Sequence, residues 1–309
     1  MKLQQLKMFL ATLERGSFSE AALDLGSSQS TVSYAVAELE AELGGKLLRR
    51  GRFGAEPTDL GCKVAAHTRG ILQLTDAIRQ ESTLEQGSIH GKLRVATFRS
   101  AAGKIIPKLI VRLKEQHPEL GVELIELDNE LERGRSKRRL VRDHLADIAF
   151  IDVLDEKEDD LIAWKLIDDP YKVLVLKEDE RDVFPWSDLA ERPLIFCNNT
   201  SCSLYVRRYA ESLGMFVQPA YDVKEDSTIL RLVSEGLGIG LLPEFAIDAL
   251  PENVKAIPLD QLLERPIYIA LLPSSLKIPA VRVFLNLLKA QFPESEVPRL
   301  ELPNTTVKA

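Results

Sequence analysis

The chain has 309 residues, 45% hydrophobic and 28% charged, with a formal net charge of -7. That is an ordinary composition for a globular protein with more than one core. The acidic balance excludes a protein that coats nucleic acid without regard to sequence, but not one whose positive charge is local. The opening stretch MKLQQLKMFLATLERG is amphipathic and carries Glu14 and Arg15 where an export signal would stay apolar. No run of about 18 or more apolar residues marks a membrane span, so no membrane partner is expected. Cys62, Cys197 and Cys202 have no zinc-ligand spacing; a reduced, cytoplasmic protein without a metal or other cofactor is expected.

The elements follow in chain order. Residues 2–15 set Leu3, Leu6, Phe9, Leu10 and Leu13 on one helical face. In GSFSEAALDLG, Ser17 and Glu20 form a capping box for a short second helix, and Gly26 can end it in a left-handed conformation. Ser28 caps a third helix within SSQSTVSYAVAELEAELG (27–44), where Val32, Val36, Leu39 and Leu43 form the buried stripe. Two short helices joined by a turn make a helix-turn-helix. KLLRRGRFGAEPT predicts a small basic hairpin, or wing. Thr58 then caps a long helix in which Leu60, Val64, His67, Ile71, Leu74 and Ile78 alternate at spacings of four and three. That heptad seam predicts pairing between two subunits; packing on the chain's own domain is the alternative.

Beyond Gly87 and Gly91, strands and helices alternate. LRVATF (93–98), VELIELD (121–127), DIAFID (147–152), YKVLVLK (171–177), PLIFC (193–197), IGLLP (239–243) and IYIALL (267–272) read as strands. The last long helix holds Val281, Phe284, Leu285, Leu287 and Leu288. This alternation implies an α/β fold with a largely parallel sheet, long enough for two lobes. The basic run RGRSKRRLVR (133–142) reads as a solvated helix face, or else as an interface with acidic surface of another subunit. Residues 294–309 read as a poorly ordered tail.

The stretch FLATLERGSFSEAALDLGSSQSTVSYAVAELEAELGGKLLRR, followed by PTDLG, resembles the LysR-type transcriptional regulators. The resemblance is carried by Ala21-Ala22, Gln29, Ser33, Leu39-Glu40, Leu43-Gly44, Leu47, Arg50, Pro57-Thr58 and Gly61. Downstream, IIPKLIVRLKEQHPELGVELIE, the strand opening at Asp147 and VSEGLGIGLLP (233–243) resemble that family's effector domain. The resemblance covers residues 1 to about 292. It implies a winged helix-turn-helix (1–58), a linker and dimerisation helix with a hinge (59–90), and an effector domain (91–293) similar to periplasmic binding proteins. Lobe I would take 91–165 and 265–293 and lobe II 166–264, the chain crossing near residues 165 and 265. It further implies promoter DNA and a small-molecule effector as partners, a homodimer through the linker helix, and a homotetramer.

In a helix-turn-helix the N-terminal part of the second helix meets base edges. Here that part is Gln29, Ser30, Thr31, Ser33 and Tyr34; Gln suits adenine, and Ser or Thr suits several bases. The family often has Pro at the position of Ser30 and Arg at that of Tyr34, so base preference differs. The helix has no Lys or Arg and holds Glu38, Glu40 and Glu42. Residues 1–60 carry 7 basic against 8 acidic residues, or -1. Phosphate contacts are therefore expected from Arg49, Arg50 and Arg52 at the wing, with Lys46, Lys2 and Lys7 nearby. Glu38 and Glu42 are expected to pair with Lys or Arg of a neighbour.

By resemblance, the effector positions are Arg99, Ser100 and Ala101, then Asp128 and Asn129, then Asn199, Thr200, Ser201 and Cys202, then Asp226, Ser227 and Thr228. Hydroxyls and amides at such strand ends suit an anionic metabolite, through its carboxylate or phosphate. Cys197 and Cys202 lie in a region where peroxide sensors of this family use a cysteine, so a redox-sensing regulator is the alternative. An enzyme is not expected: GLGIG (236–240) precedes LLPE instead of opening a helix. His67, His90, His117 and His144 form no nucleophile–base set. A solute-binding protein is opposed by the missing export signal and the added N-terminal domain.

Overall fold

Three helices and a hairpin make the N-terminal unit: α1 (Leu3–Arg15), α2 (Phe18–Asp24), α3 (Gln29–Leu43), β1 (Leu48–Gly51) and β2 (Gly54–Pro57). A computed structural model describes residues 1–51, 54–85, 87–127, 136–152, 160–197 and 201–300, without the side chains of Arg50 and Ser201. The helix starts follow cap chemistry. The Ser17 hydroxyl accepts from the Glu20 amide at 3.5 Å, and that of Ser28 from the Thr31 amide at 3.1 Å. Leu6, Phe9, Leu10, Val36, Leu39 and Leu47 share one core. Leu43, expected in the buried stripe, is 40% exposed, because α3 stops there at Gly44. The wing is tied back to the helices: the Ala55 amide donates to the Gly16 carbonyl at 2.7 Å. A Cβ at Gly54 would stand 2.2 Å from that carbonyl oxygen, so only glycine lets the strands pass.

The linker helix α4 (Asp59–Leu84) starts at Thr58, whose hydroxyl accepts from the Gly61 amide at 2.9 Å. It has two apolar faces. Ala65, Ala77 and Leu84 are buried within the chain. Leu60, Ile71, Leu74 and Ile78 of the heptad seam are exposed, Ile78 to 73%. Apart from Val64, which packs against the N-terminal core, the apolar seam is therefore bare in one protomer, and packing on the chain's own domains uses mainly the opposite face.

The effector half contains β3 (Gly91–Thr97), α5 (Arg99–Lys104), α6 (Ile106–Gln116), β4 (Leu120–Glu126), α7 (Lys137–Arg142), β5 (Ile148–Ile151) and β6 (Ile162–Leu176). Then come β7 (Leu194–Cys197), α8 (Ser201–Ser212), β8 (Tyr221–Val223), α9 (Asp226–Ser234), β9 (Ile239–Pro243), β10 (Val254–Pro258), β11 (Glu264–Leu271) and α10 (Pro279–Gln291). The strand order is β4-β3-β5-β11-β6-β9-β7-β8, with β10 also on β6. The expected largely parallel sheet is corrected here. Within each lobe β3 and β7 pair in parallel with their neighbours, but β6 and β11 pair antiparallel throughout. These are the strands that carry the chain out of lobe I and back.

β6 starts earlier than its apolar run. Residues 162–170 pair with β11, and residues 171–176 with β9 and β10. Leu166, Ile267 and Ile269 share a core with Val281 and Phe284, whereas Tyr171 and Val173 belong to the other lobe's core. The expected crossing near 165 thus falls at Pro170–Tyr171, and the return at Leu263–Glu264.

Two further expectations change. The basic run is a solvated face only in part where it is described: Arg139 is exposed, but Lys137 is fully buried and Arg138 is 8% exposed. Lys137 Nζ donates to the Leu127 carbonyl at 3.2 Å and lies 5.4 Å from the Phe98 ring. Arg142 pairs with Asp160 at 2.7 Å; residues 133–135 lie outside the described residues. The tail, read as poorly ordered from 294, is docked as far as Leu300. Lobe I leaves β6 as an edge strand, and the Glu296 amide covers it by donating to the Lys165 carbonyl at 2.8 Å. Val297 is fully buried, and Leu300 exchanges two backbone hydrogen bonds with the Asn286 side chain. Among the described residues no helix is long and apolar enough to cross a membrane.

Val297→Ala should lower the stability of the effector half by about 2 kcal/mol, from two lost methyl groups and the cavity they leave. Urea unfolding should show a lower midpoint with an unchanged slope.

Candidate functional site

Two surfaces carry function-bearing residues. The first is the N-terminus of α3. Gln29, Ser30 and Thr31 are exposed there, Tyr34 is 66% exposed and Ser33 is half-buried. The Ser28 hydroxyl lies 2.9 Å from that of Ser30 and 2.7 Å from that of Thr31. This hydroxyl cluster sits at the positive end of a helix, which suits a phosphate or a base edge.

The glutamates do not face outward as a set. Glu40 is 7% exposed and accepts from Lys46 Nζ at 2.6 Å and from the amides of Leu47 and Leu48 at 2.9 and 3.2 Å. Burial pushes its carboxyl up, but the Lys46 bond and the two amides outweigh that and hold it below the usual range. Glu38 accepts from Gln5 Nε2 at 3.1 Å, and hydrogen bonding to it raises the Tyr34 phenol. Glu42 takes the N-terminal amine of Met1. The expected Lys or Arg partners of Glu38 and Glu42 are thus replaced by an amide side chain and the chain's own first nitrogen. Lys46, expected in the basic rim, is engaged by Glu40. Arg49 remains exposed, its Nη2 3.4 Å from the Pro57 carbonyl. Arg52 and the side chain of Arg50 lie outside the described residues.

The second surface is the cleft between the lobes, with a volume of ≈ 60 Å³. That is room for about two waters at ~30 Å³ each. Arg99, Ser100, Cys202 and Asp226 line it as expected positions, together with Phe98, Asp152 and Lys224. Ala101 is buried beside it; Ser227 and Thr228 are exposed and not part of the lining. Asp128, Asn129, Asn199, Thr200 and the side chain of Ser201 lie outside the described residues.

The centre of the cleft is Arg265, which sequence reasoning missed. It is 2% exposed. Its Nε donates to Asp169 Oδ2 at 2.9 Å, its Nη2 to Ser100 Oγ at 2.6 Å and its Nη1 to Cys202 Sγ at 2.9 Å. Its guanidinium lies 4.9 Å from the Phe98 ring centre. Asp169 is fully buried and also accepts from the Phe245 amide at 3.0 Å. Burial pushes the Asp169 carboxyl up, partly offset by Arg265 and that amide. The sequence signal was a charged residue within a strand at the lobe crossing. The cleft is shut by contacts between lobes: an Arg99–Glu225 ion pair, Lys104 to Asp248 at 3.2 Å, and the Tyr205 hydroxyl donating to the Asp152 carbonyl at 2.6 Å.

The surroundings of both cleft cysteines disfavour the thiolate. Burial pushes the Cys197 thiol up to about 11. Burial also raises Cys202, against the pull of Arg265. The thiolate is the reactive form, so both are suppressed at neutral pH.

Two family models match. A bacterial regulatory helix-turn-helix protein of the lysR family covers residues 3–62, and a LysR substrate binding domain covers residues 86–293. The probable HTH-type transcriptional regulator LrrA of Synechococcus elongatus is 38% identical over 296 residues, 95% of this chain and 98% of its own. The uncharacterized regulator YvbU of Bacillus subtilis is 29% identical, over 94% and 99% of the two chains. Among solved structures, a full-length OxyR variant from Pseudomonas aeruginosa has a TM-score of 0.72 at 21% identity, covering 98% of this chain and 99% of that one. Full-length CbnR complexed with its target DNA has a TM-score of 0.54 at 20% identity, covering 94% and 100%. Both structural likenesses speak to the fold.

Glu40→Gln should cost the N-terminal unit about 1–3 kcal/mol at neutral pH, because a buried charge-assisted network is lost. The folded carboxyl lies below its unfolded value, so its contribution is present above the unfolded pKa and fades as pH falls through the folded one. Thermal melts of the natural chain should therefore lose stability below about pH 4.5, and the Gln variant should lack this component. Alkylation at neutral pH should label exposed Cys62 first and Cys197 and Cys202 much more slowly, read by mass spectrometry.

Proposed function

The chain belongs to the LysR family of transcriptional regulators, and from that premise we propose that it reads a promoter site through α3 and the wing and is switched by a small anionic metabolite held at Arg265. It is a DNA-binding regulator with an effector-binding domain, and its relatives are named as regulators rather than enzymes. Regulators of this family bind promoter DNA and small-molecule effectors and oligomerise.

One observation carries the effector class: a permanent cation buried in the cleft, ion-paired with Asp169 and with Asp152 as a further carboxylate within electrostatic reach. Asp169 occupies Nε and part of Nη2, while Ser100 and Cys202 serve as weaker, neutral acceptors on the remaining side. A carboxylate or phosphate replaces those two acceptors with a charge-assisted, forked contact. The lobes must part to admit it, since ≈ 60 Å³ holds no metabolite.

On the DNA side, Gln29, Ser30, Thr31, Ser33 and Tyr34 supply base contacts. Arg49, with Arg50 and Arg52, supplies phosphate contacts. The bare α4 seam pairs two protomers, and two such pairs make a tetramer that doubles the DNA contacts. A cytoplasmic location follows from work on promoter DNA.

Gel shifts with the DNA upstream of the chain's own gene test the regulator reading; no specific shift at moderate salt would sink it. Arg49→Ala should flatten the slope of log affinity against log salt by about 0.9 for each protomer engaged on the DNA. Gln29→Ala should instead relax base preference by about 1–3 kcal/mol at one position. In thermal-shift screens of carboxylates and phosphates, a stabilising anion should lose its effect on Arg265→Lys. A neutral ligand that stabilises both proteins equally would count against the anion reading.

A further inference from the structure

β3 and β5 are parallel neighbours, paired at Val95–Ile148 and Ala96–Ala149. Their carboxyl ends open onto the cleft: Phe98, Arg99 and Ser100 follow β3, and Asp152 follows β5. Their amino ends meet α4, and a second polar cluster is built there. Arg94, in β3, donates from Nη2 to Asp147 Oδ1 at 2.8 Å and from Nη1 to the His144 carbonyl at 2.8 Å. The Arg94 amide donates to Asp147 Oδ2 at 2.6 Å. From α4, Gln73 Nε2 donates to Asp147 Oδ1, and Gln73 Oε1 lies 2.8 Å from His144 Nδ1.

His144 is the one non-glycine residue with positive φ among the described residues, at 53°. A side chain is held in that strained region only where its surroundings dictate it, and such strain marks candidate functional positions. The turn aims the imidazole at Gly70 of α4. A methyl group at Gly70 would stand 2.8 Å from His144 Nε2 and 3.0 Å from Cε1. Glycine weakens a helix interior, and here it forms the notch that seats the ring.

We propose that this cluster is the joint through which the state of the cleft reaches the DNA-binding unit, with Gly70 and His144 as positioning residues that seat α4 on lobe I. The proposal rests on the reading of the chain as an effector-responsive regulator. Arg94 lies about 13 Å from Phe98, and Asp147 about 17 Å from Asp152, at ~3.3 Å per strand residue. Val95, Ala96, Ile148, Ala149 and Phe150 are fully buried, so these strands shift as a body when the lobes part. A second attachment holds α4 to the same lobe: Gln80 Oε1 accepts from the Ala280 amide at 3.2 Å, and Glu81 pairs with Arg282 at 2.6 Å. At ~1.5 Å per helical residue, Thr58 lies about 22 Å beyond Gln73, so a change in how α4 is seated at the joint is carried along the helix to where the DNA-binding unit begins. Ala65 of α4 belongs to that unit's core, so the unit moves with the helix.

The test is amide hydrogen exchange on the full chain without effector. Glu225→Ala with Tyr205→Phe removes two contacts that hold the lobes together. In the natural background this pair should raise exchange across residues 66–77 of α4 about tenfold, as a local opening would. With Gly70→Ala added, those residues should already exchange fast and the cleft pair should add less than about twofold. Unchanged α4 exchange on opening the cleft, or an equal effect of the cleft pair with and without Gly70→Ala, would overturn the joint. Should Gly70→Ala fail to fold, Gln73→Leu takes its place, removing both side-chain bonds and leaving the notch intact. Gel shifts on the same proteins keep the two readings apart. A chain that never binds promoter DNA refutes the regulator reading, and the exchange cycle still judges the joint.

Discussion

A guanidinium that water cannot reach must find its acceptors inside the protein, and the geometry of the effector half follows from how Arg265 does so. Its partner Asp169 is directly opposite it in the β6–β11 ladder, at the point where both strands pass between lobes. Removing either member would strand a buried charge at a cost of about 3–5 kcal/mol, so the two crossing strands are locked in register. The pair also reaches outward: Ser100 from lobe I, Cys202 and the Phe245 amide from lobe II. One ion pair therefore sets both the hinge and the chemistry of the space beside it. On the proposed function, the same cation that organises the crossing is the one an anionic effector would meet.

The N-terminal unit turns one of its α3 acids inward. An acidic helix on DNA would be repelled, yet the start of α3 presents amide and hydroxyl groups, while the exposed Glu38 and Glu42 lie in its C-terminal half. Glu40 is buried and ties the helix to the start of the wing through the amides of Leu47 and Leu48. On the proposed function, the remaining shortage of cations is met by number rather than by density, since paired protomers would bring several weak contacts to one duplex.

What was legible in the sequence was local or periodic. Ser17, Ser28 and Thr58 could be read as caps because a cap acts on residues two or three positions away. The α4 seam could be read because it repeats. What was not legible depended on distant partners. Asp168, Asp169 and Pro170 look like a strand's end, yet β6 runs through them because Asp169 has a partner 96 residues away. Lys137 and Arg138 have the composition of a wet surface; the Leu127 carbonyl and the Phe98 ring make burial tolerable for the lysine. Val297 and Leu300 are isolated apolar residues in PESEVPRL, too few for any pattern to register, and Val297 is fully buried where the tail covers the β6 edge. Of the expected effector positions, Arg99, Ser100, Cys202 and Asp226 line the cleft, but Arg265 at its centre was invisible for the same reason as the crossing: both depend on the Arg265–Asp169 pair.

Lobe I is assembled from the two ends of the effector half, and that imposes an order on synthesis. At roughly 5–20 residues per second, Asp169 leaves the ribosome some 5–20 s before Arg265 exists. During that interval the helix-turn-helix and the linker helix are complete, while β6 has neither its partner strand nor its counter-ion. A chain cut short before residue 265 would lack the counter-ion of Asp169 together with β11 and α10, which complete the lobe I core and anchor the linker helix. The last stretch of the chain is thus the keystone that both closes lobe I and seats the helix leading to the DNA-binding unit.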